Sequence, residues 1–258
     1  MTKAVYEMLL GYMQSCVADR AHDENHVLRV LSNALQIARE EPQADLDILM
    51  AACLLHDVAR REEMETPGVR HAEAGAGKAR AFLQRQGFSA EFCSRVADCI
   101  AAHSFGSGPA PARIEEKILF DADKLDAAGA LGTARMLLYH GAAGDPIYEV
   151  RADGQVSDGV GDAQRNYFYE YHGMIAKMAG SMLTPAGRRM AQARAQTARQ
   201  LYQAIYDEAQ GCHLALRQAL DDAFSCCGNI IFKNICKKHL PFCPNRHIMI
   251  SVKVRVCG

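Results

Sequence analysis

An all-α fold is the class this sequence predicts, and three observations carry it. Apolar residues recur at helical spacing in nearly every segment up to about residue 222. The breaks between these segments are Gly, Pro, Asp and Ser, the residues that stop or cap helices. Strand-type alternation is missing until the last residues, where Ile248, Ile250, Val252, Val254 and Val256 alternate with other residues.

The elements follow in order. The start, MTKAVYEMLLGYMQ, reads as an amphipathic helix and lacks the charged–apolar–small order of a signal peptide. Val27, Leu28, Leu31, Ala34, Leu35 and Ala38 mark a helix that ends before Pro42. Asp45 to Ala59 is apolar on nearly all sides from Ile48 to Leu55, the pattern of a central core helix. Pro67-Gly68 marks a loop. Arg70 to Gln86 reads as a helix stopped by Gly87, and Ser89 caps another that runs to His103. Beyond the linker 106–111, Ile114 to Tyr139 reads as one long helix. The Gly- and Asp-rich stretch 141–162 has the length of an active-site lid or an ordered insertion. Two helices remain, from about Gln164 to Leu183 and from Pro185 to Gln210. Thr184-Pro185 opens the second with a capping residue and a proline at the first helical position.

Composition divides the chain. Residues 1–225 hold 23 basic and 30 acidic side chains, a net −7, which excludes a basic nucleic-acid surface on the main domain. Five of the ten cysteines fall after Phe224, in a stretch with six Lys or Arg, no acidic residue and no alanine. We therefore read a main domain over 1–224 and a short basic, Cys-rich extension over 225–258, disordered or non-native in character. Cys236, His239, Cys243 and His247 are of zinc-binding type, but their spacing matches no zinc module. The other cysteines (16, 53, 93, 99 and 212) lie in helical patterns, where buried free thiols are common. No apolar run reaches bilayer length, so the expected setting is cytoplasmic, with no membrane partner.

Chemistry concentrates at four places. His26 lies early in a helix, with His22 one turn before it and Arg29 one turn after. His56-Asp57 closes the apolar helix, where a carboxylate emerging from a run of leucines needs a partner. Asp121, Asp123 and Asp126 share a helical segment with apolar neighbours. Two imidazoles and two carboxylates suit a single Mn²⁺, Fe²⁺, Co²⁺, Ni²⁺ or Zn²⁺ ion, with Mg²⁺ as an alternative. Each part alone is an ordinary polar residue; the order His, His-Asp, Asp across helices that can pack together gives the set its meaning.

These residues resemble the H…HD…D signature of the HD-domain superfamily. The chain is similar, over roughly His22 to Ala209, to small bacterial HD hydrolases that cleave nucleoside triphosphates to monophosphate and pyrophosphate. The likeness includes His22-Asp-Glu-Asn-His26, Leu54-Leu55-His56-Asp57, Arg70-His71-Ala, Ala102-His103-Ser-Phe, the stretch from Asp121 to Arg135, and Leu183 to Met190. The resemblance implies a helical bundle with His26, His56, Asp57 and Asp123 as metal ligands and a metal-activated water as nucleophile. Asp121 and Asp126 are alternative ligands. Asp126, one turn beyond Asp123, is expected to orient the water or act as general base. His71 and His103 fall where two-metal relatives complete a second site. No adjacent second histidine accompanies His103, so one metal is expected. The two histidines then contact substrate phosphate or bridge helices. Arg29, Arg60 and Arg135 offer guanidinium forks for phosphate, as Arg188-Arg189 does more weakly, while Lys124 is expected to point off the ligand face and instead form a salt bridge.

The functional expectation is a metal-dependent phosphohydrolase acting on a nucleotide-like small molecule. Its alternatives are a nucleotide-binding regulatory module with little turnover, a cyclic-nucleotide or alarmone phosphodiesterase, and a helical interaction protein.

Overall fold

The structure, a computed structural model, describes residues 1–16, 24–104 and 108–235, with side chains described to residue 225. The chain divides into two compact units, Met1–Gln210 and Gly211–Gly258. The candidate site and both apolar clusters lie in the first. His22, the tail strand and the tail zinc pattern lie outside the described residues.

The first unit is helical, as the periodicity predicts. Helices α1 (Lys3–Cys16), α2 (Glu24–Ala38), α3 (Leu46–Leu55), α5 (His71–Arg85), α6 (Ala90–Ala102) and α7 (Ile114–Ala127) enclose the main core; a short α4 (Arg60–Glu65) leads into α5. Seven of the ten residues of α3 are buried, which explains its lack of a polar face. Leu49, Leu54 and Leu55 are fully buried, and each contributes roughly 1.5–3 kcal/mol relative to exposure. Helix α3 packs on α1, α2, α6 and α7, so residues leaving its C-terminus emerge in the middle of the bundle.

Capping fixes where the helices begin. Asp45 accepts hydrogen bonds from the backbone N–H groups of Asp47 (3.0 Å) and Ile48 (3.2 Å) at the start of α3. Ser89 Oγ accepts from Phe92 N at 3.2 Å to start α6. Glu116 in the first turn of α7 accepts from the N–H groups of Ala112 (2.6 Å) and Arg113 (3.1 Å).

Several boundaries differ from the sequence expectation. The predicted helix from Ile114 to Tyr139 is two helices, α7 and α8 (Gly129–Ala143). Ala128 is extended, and Gly129 has φ +90°, a conformation that favours glycine. A Cβ on Gly129 would lie 3.0 Å from Arg194 Cβ, so the turn is also closely packed. Arg194 donates to Leu125 O at the carbonyl end of α7 and to Asn33 Oδ1 (2.8 Å), and Asn33 Nδ2 donates to Ala122 O (3.1 Å). A cation on the last carbonyls complements the helix dipole and ends α7 there.

The predicted helix from Gln164 to Leu183 is α9 (Tyr167–Gly173) followed by a 3₁₀ segment, Ile175–Ser181. The segment bridges both cores: Tyr167, Phe168, Tyr171 and Ile175 pack with Tyr202 in the second apolar cluster, whereas Met178 and Met182 reach the main one. The stretch between α8 and α9 carries packing and hydrogen bonds of its own. Val150 and Val156 form an antiparallel bridge, Val156 is buried, and Tyr202 Oη donates to Asp158 O at 2.7 Å.

Helix α10 (Pro185–Ile235) starts at the predicted Pro185 but continues past Gln210. No helix among the described residues is long and apolar enough to cross a membrane. Cys53, Cys93 and Cys99 are buried free thiols, as their helical settings suggest, and burial raises the pKa of each, the opposite of a reactive cysteine.

Candidate metal centre

The ligand candidates converge because three helices and the turn after one of them bring them to one point. His26 lies in the first turn of α2, His56 caps the C-terminus of α3, Asp57 follows it in the turn, and Asp123 sits in α7. His26 Nε2 lies 3.3 Å from His56 Nε2 and 3.5 Å from both Asp57 Oδ2 and Asp123 Oδ1. His56 Nε2 lies 3.6 Å from Asp57 Oδ2. Ligand atoms of His26, His56 and Asp123 fall within 4.8 Å of one another, as do those of His56, Asp57 and His103.

The chemistry of this donor set fits a divalent metal ion. His26 is 3% exposed, His56 0% and Asp57 8%, so these groups turn toward each other away from water. Each imidazole has its other nitrogen occupied. Nδ1 of His26 donates to Asp126 Oδ2 (2.7 Å), Nδ1 of His56 to Cys53 O (2.7 Å), and Nδ1 of His103 to Ile100 O (2.6 Å). Their Nε2 atoms are thereby left for the cluster, the tautomer that metal ligation requires.

The electrostatics are those of ionised carboxylates among imidazoles. Burial opposes charge on Asp57, but His56 and His26 outweigh it and hold its carboxyl well below the usual range. Burial is likewise overcome at Asp123, chiefly by Lys124 and His26. Burial also works against a proton on His26, yet hydrogen bonds to Asp126 and Asp57 push its pKa up to about 9. His56 is lowered by burial, and His103 is pushed down to about 3 by burial and by His56. The cluster thus combines two anionic carboxylates with the neutral imidazoles of His56 and His103, and it holds a proton on His26 that a cation would displace.

Other candidates take distinct places. His71 opens α5, and its Nε2 lies 3.8 Å from Asp57 Oδ1; His103 Nε2 reaches the same oxygen at 3.9 Å. Nδ1 of His71 lies 2.8 Å from Glu63 Oε1, and Arg60 Nη1 donates to Glu63 Oε2 at 2.7 Å. Asp121 points elsewhere. It accepts from Leu183 N (2.8 Å), Thr184 N (2.7 Å) and Thr184 Oγ1 (2.6 Å), tying α7 to the start of α10.

Asp126 sits behind His26 rather than beside the other ligand atoms. It accepts from His26, from Arg29 Nε (2.6 Å) and Nη2 (3.0 Å), and from Arg135. Its carboxyl is held well below the usual range because hydrogen bonds from His26 and Arg29 overcome burial. An oxygen pair engaged by an imidazole and two guanidinium groups is a poor general base, so the water-activating role expected from sequence does not fit this placement. Lys124 forms the expected salt bridge but departs from expectation in its direction. Its Nζ donates to Asp123 Oδ2 (3.0 Å) and His103 O (2.9 Å), on the ligand side.

The cluster forms the floor of a cleft of about 480 Å³. Arg60, Lys124, Arg135 and Arg165 bring positive charge to its lining, and Met136, Tyr139, Met174 and Met178 give it an apolar side. Arg189 instead pairs with Glu40 on the surface. Sequence reasoning missed Glu63, His140, Arg165 and Glu170. These contribute through packing from different segments, and the one local sign was the Gly144-Asp145 pair closing the helix that carries His140.

A bundle with an imidazole–carboxylate cluster on three of its helices and the turn after one of them defines a metal-hydrolase type of scaffold, and the HD domain family model matches residues 24–128, which include all four ligand candidates. The chain belongs to the HD-domain superfamily of phosphohydrolases. It is similar to the uncharacterized protein YpgQ of Bacillus subtilis, 32% identical over 194 residues that cover 73% of this chain and 85% of the relative. The crystal structure of Bacillus subtilis YpgQ in complex with ADP is 26% identical, with TM-score 0.62, covering 79% of this chain and 97% of that one. The crystal structure of a predicted HD superfamily hydrolase from an uncultured Thermotogales bacterium is 30% identical, with TM-score 0.55, covering 78% of this chain and 91% of that one.

Proposed function

We propose that this protein hydrolyses a phosphoester or phosphoanhydride bond of a nucleotide-like small molecule, with a nucleoside triphosphate going to monophosphate and pyrophosphate as the leading case. The observation that carries this reading is the junction of the His26–His56–Asp57–Asp123 cluster with a cationic cleft large enough for a nucleotide. The complex of the similar YpgQ with ADP supports a nucleotide as the ligand class.

His26, His56, Asp57 and Asp123 are the residues that would hold a single divalent ion, with Mn²⁺, Fe²⁺, Co²⁺, Ni²⁺ and Zn²⁺ all suited to two nitrogens and two oxygens. Such an ion supplies Lewis acidity, acidifying water and polarising the phosphoryl group. The protein does the rest. Asp57 presents one oxygen to the ligand cluster and the other to His71 and His103. Those two histidines then face a phosphoryl group placed over Asp57. Arg60, Lys124 and Arg165 offset the negative charge of the phosphates. Asp126 is a positioning residue that fixes the His26 ring and its tautomer.

The test is activity on a panel of nucleoside mono-, di- and triphosphates, with phosphate and pyrophosphate release distinguished. Chelation should abolish turnover, readdition of Mn²⁺ or Co²⁺ should restore it, and Asp57→Ala should lower kcat/KM by three orders of magnitude or more. Full activity in both the chelated protein and Asp57→Ala overturns the proposal. A nucleotide that raises Tm with Mn²⁺ yet stays intact marks a binding module instead.

A further inference from the structure

One wall of the cleft carries a polar group that the phosphate chemistry does not use. His140 lies in the last turn of α8, outside the matched family segment, and lines the cleft together with the ligand cluster. Its side chain is 3% exposed. Its Nδ1 lies 2.8 Å from Asp145 Oδ2, while its Nε2 is buried and has no hydrogen-bond partner among the described residues. Leaving a buried polar atom unsatisfied is costly, so such an atom on a residue lining a binding cleft marks a place for a ligand group. Thr133 and Tyr167, also buried, partner each other and do not line the cleft.

The local backbone builds this arrangement. Gly144 ends α8 in the left-handed region (φ +79°), which turns the chain so that Asp145 N donates to His140 O at 2.9 Å. The same turn brings the Asp145 carboxylate to the ring of the same residue. With Nδ1–H donating to Asp145, the lone pair is on Nε2, so the ring nitrogen left without a partner is an acceptor. Tyr139 sets the ring edge-on at 5.6 Å, and Met136 lies on the same side of the cleft wall. Metal ligands and cations at the floor suit phosphate, whereas an acceptor flanked by Met and Tyr suits the organic part of a substrate.

The geometry points to His140 as a specificity-determining residue: its Nε2 accepts a hydrogen bond from a hydroxyl or amino group on the nucleoside portion of the substrate, with Asp145 fixing the ring. This inference rests on the nucleotide reading above and adds the residue that selects among nucleotides. The donor is a sugar hydroxyl or a base amino group, and the shared chemistry is an O–H or N–H.

Binding of α,β-methylene nucleoside triphosphates to the Mn²⁺-loaded protein tests it, measured by calorimetry alongside kcat and KM for the hydrolysable forms. The panel pairs adenosine with inosine, and ribose with 2′-deoxy- and 3′-deoxyribose. In the wild type, removing the recognised donor should weaken binding ten- to hundredfold, and the member of the panel that does so identifies its source. His140→Phe should bind every panel member about equally, with the change in KM rather than kcat. His140→Gln, which keeps an acceptor, should restore part of the discrimination, and Asp145→Ala should weaken it. Metal content and Tm of each variant separate loss of recognition from loss of fold. If His140→Phe and His140→Gln both keep wild-type discrimination, this inference alone is overturned, as it is if the wild type shows no discrimination. If the wild type binds and cleaves no nucleotide, the functional reading fails and this inference with it.

Discussion

Asp126 stands behind His26, accepting the Nδ1–H of its ring across 2.7 Å while two guanidinium groups, from Arg29 and Arg135, grip the carboxylate from the other side. The pair is a carboxylate–histidine support of the kind that sets ring orientation and basicity at metal sites. Asp126→Asn should therefore weaken metal binding roughly 10- to 100-fold, with activity recovering at saturating metal. Metal titration followed by assay at high metal checks this. An unchanged metal Kd with lost turnover would place Asp126 in the chemistry itself.

Metal binding should depend on pH through His26. Its pKa in the metal-free protein is about 9, against 6.5 for an unperturbed imidazole, so at neutral pH a bound ion displaces a proton. Apparent affinity should rise about tenfold per pH unit from neutrality and flatten above about 9. Calorimetry in buffers of different ionisation enthalpy reads the released proton. The sign for stability of the chelated protein is the reverse. A raised pKa contributes stability that is fully present below about 6.5 and is lost as pH rises through about 9. The chelated protein should thus melt lower at pH 9.5 than at pH 6.5, at least as far as His26 governs it.

Asp121 should behave as a structural residue. Its carboxylate takes three donors from Leu183 and Thr184 at the start of α10, and Thr184 Oγ1 in turn accepts from Gly187 N at 3.0 Å. Asp121→Ala leaves those donors buried without partners, a cost of about 3 kcal/mol. For a protein of this size that lowers Tm by about 10 °C. Thermal melts with and without Mn²⁺ check it: the loss should be similar in both, and metal stoichiometry should be retained.

Much of this was legible in the sequence for identifiable reasons. The central position of α3 shows as an unbroken apolar run, and the cap Ser89 shows as a single residue at the boundary of α6. Convergence of His26, His56, Asp57 and Asp123 was readable because each stands at or near a helix end or on an inward face. What failed depended on contacts distant in sequence. The break at Ala128 follows from Arg194 binding the end of α7 from 69 positions away. The direction of Lys124 follows from His103 O, and the place of Asp126 follows from Arg29, 97 positions earlier. Periodicity records which face of a helix is buried; it does not record what meets that face.

The two-residue turn at Ala128-Gly129 has a consequence for how this scaffold can diversify. Every metal-ligand candidate precedes it, and the apolar wall with His140 and Arg165 follows it. The metal-ligand candidates and the apolar wall are therefore carried by consecutive stretches of the chain, joined at one glycine. Exchanging residues 129–178 between relatives should move substrate choice as a block and leave the reaction class where it was.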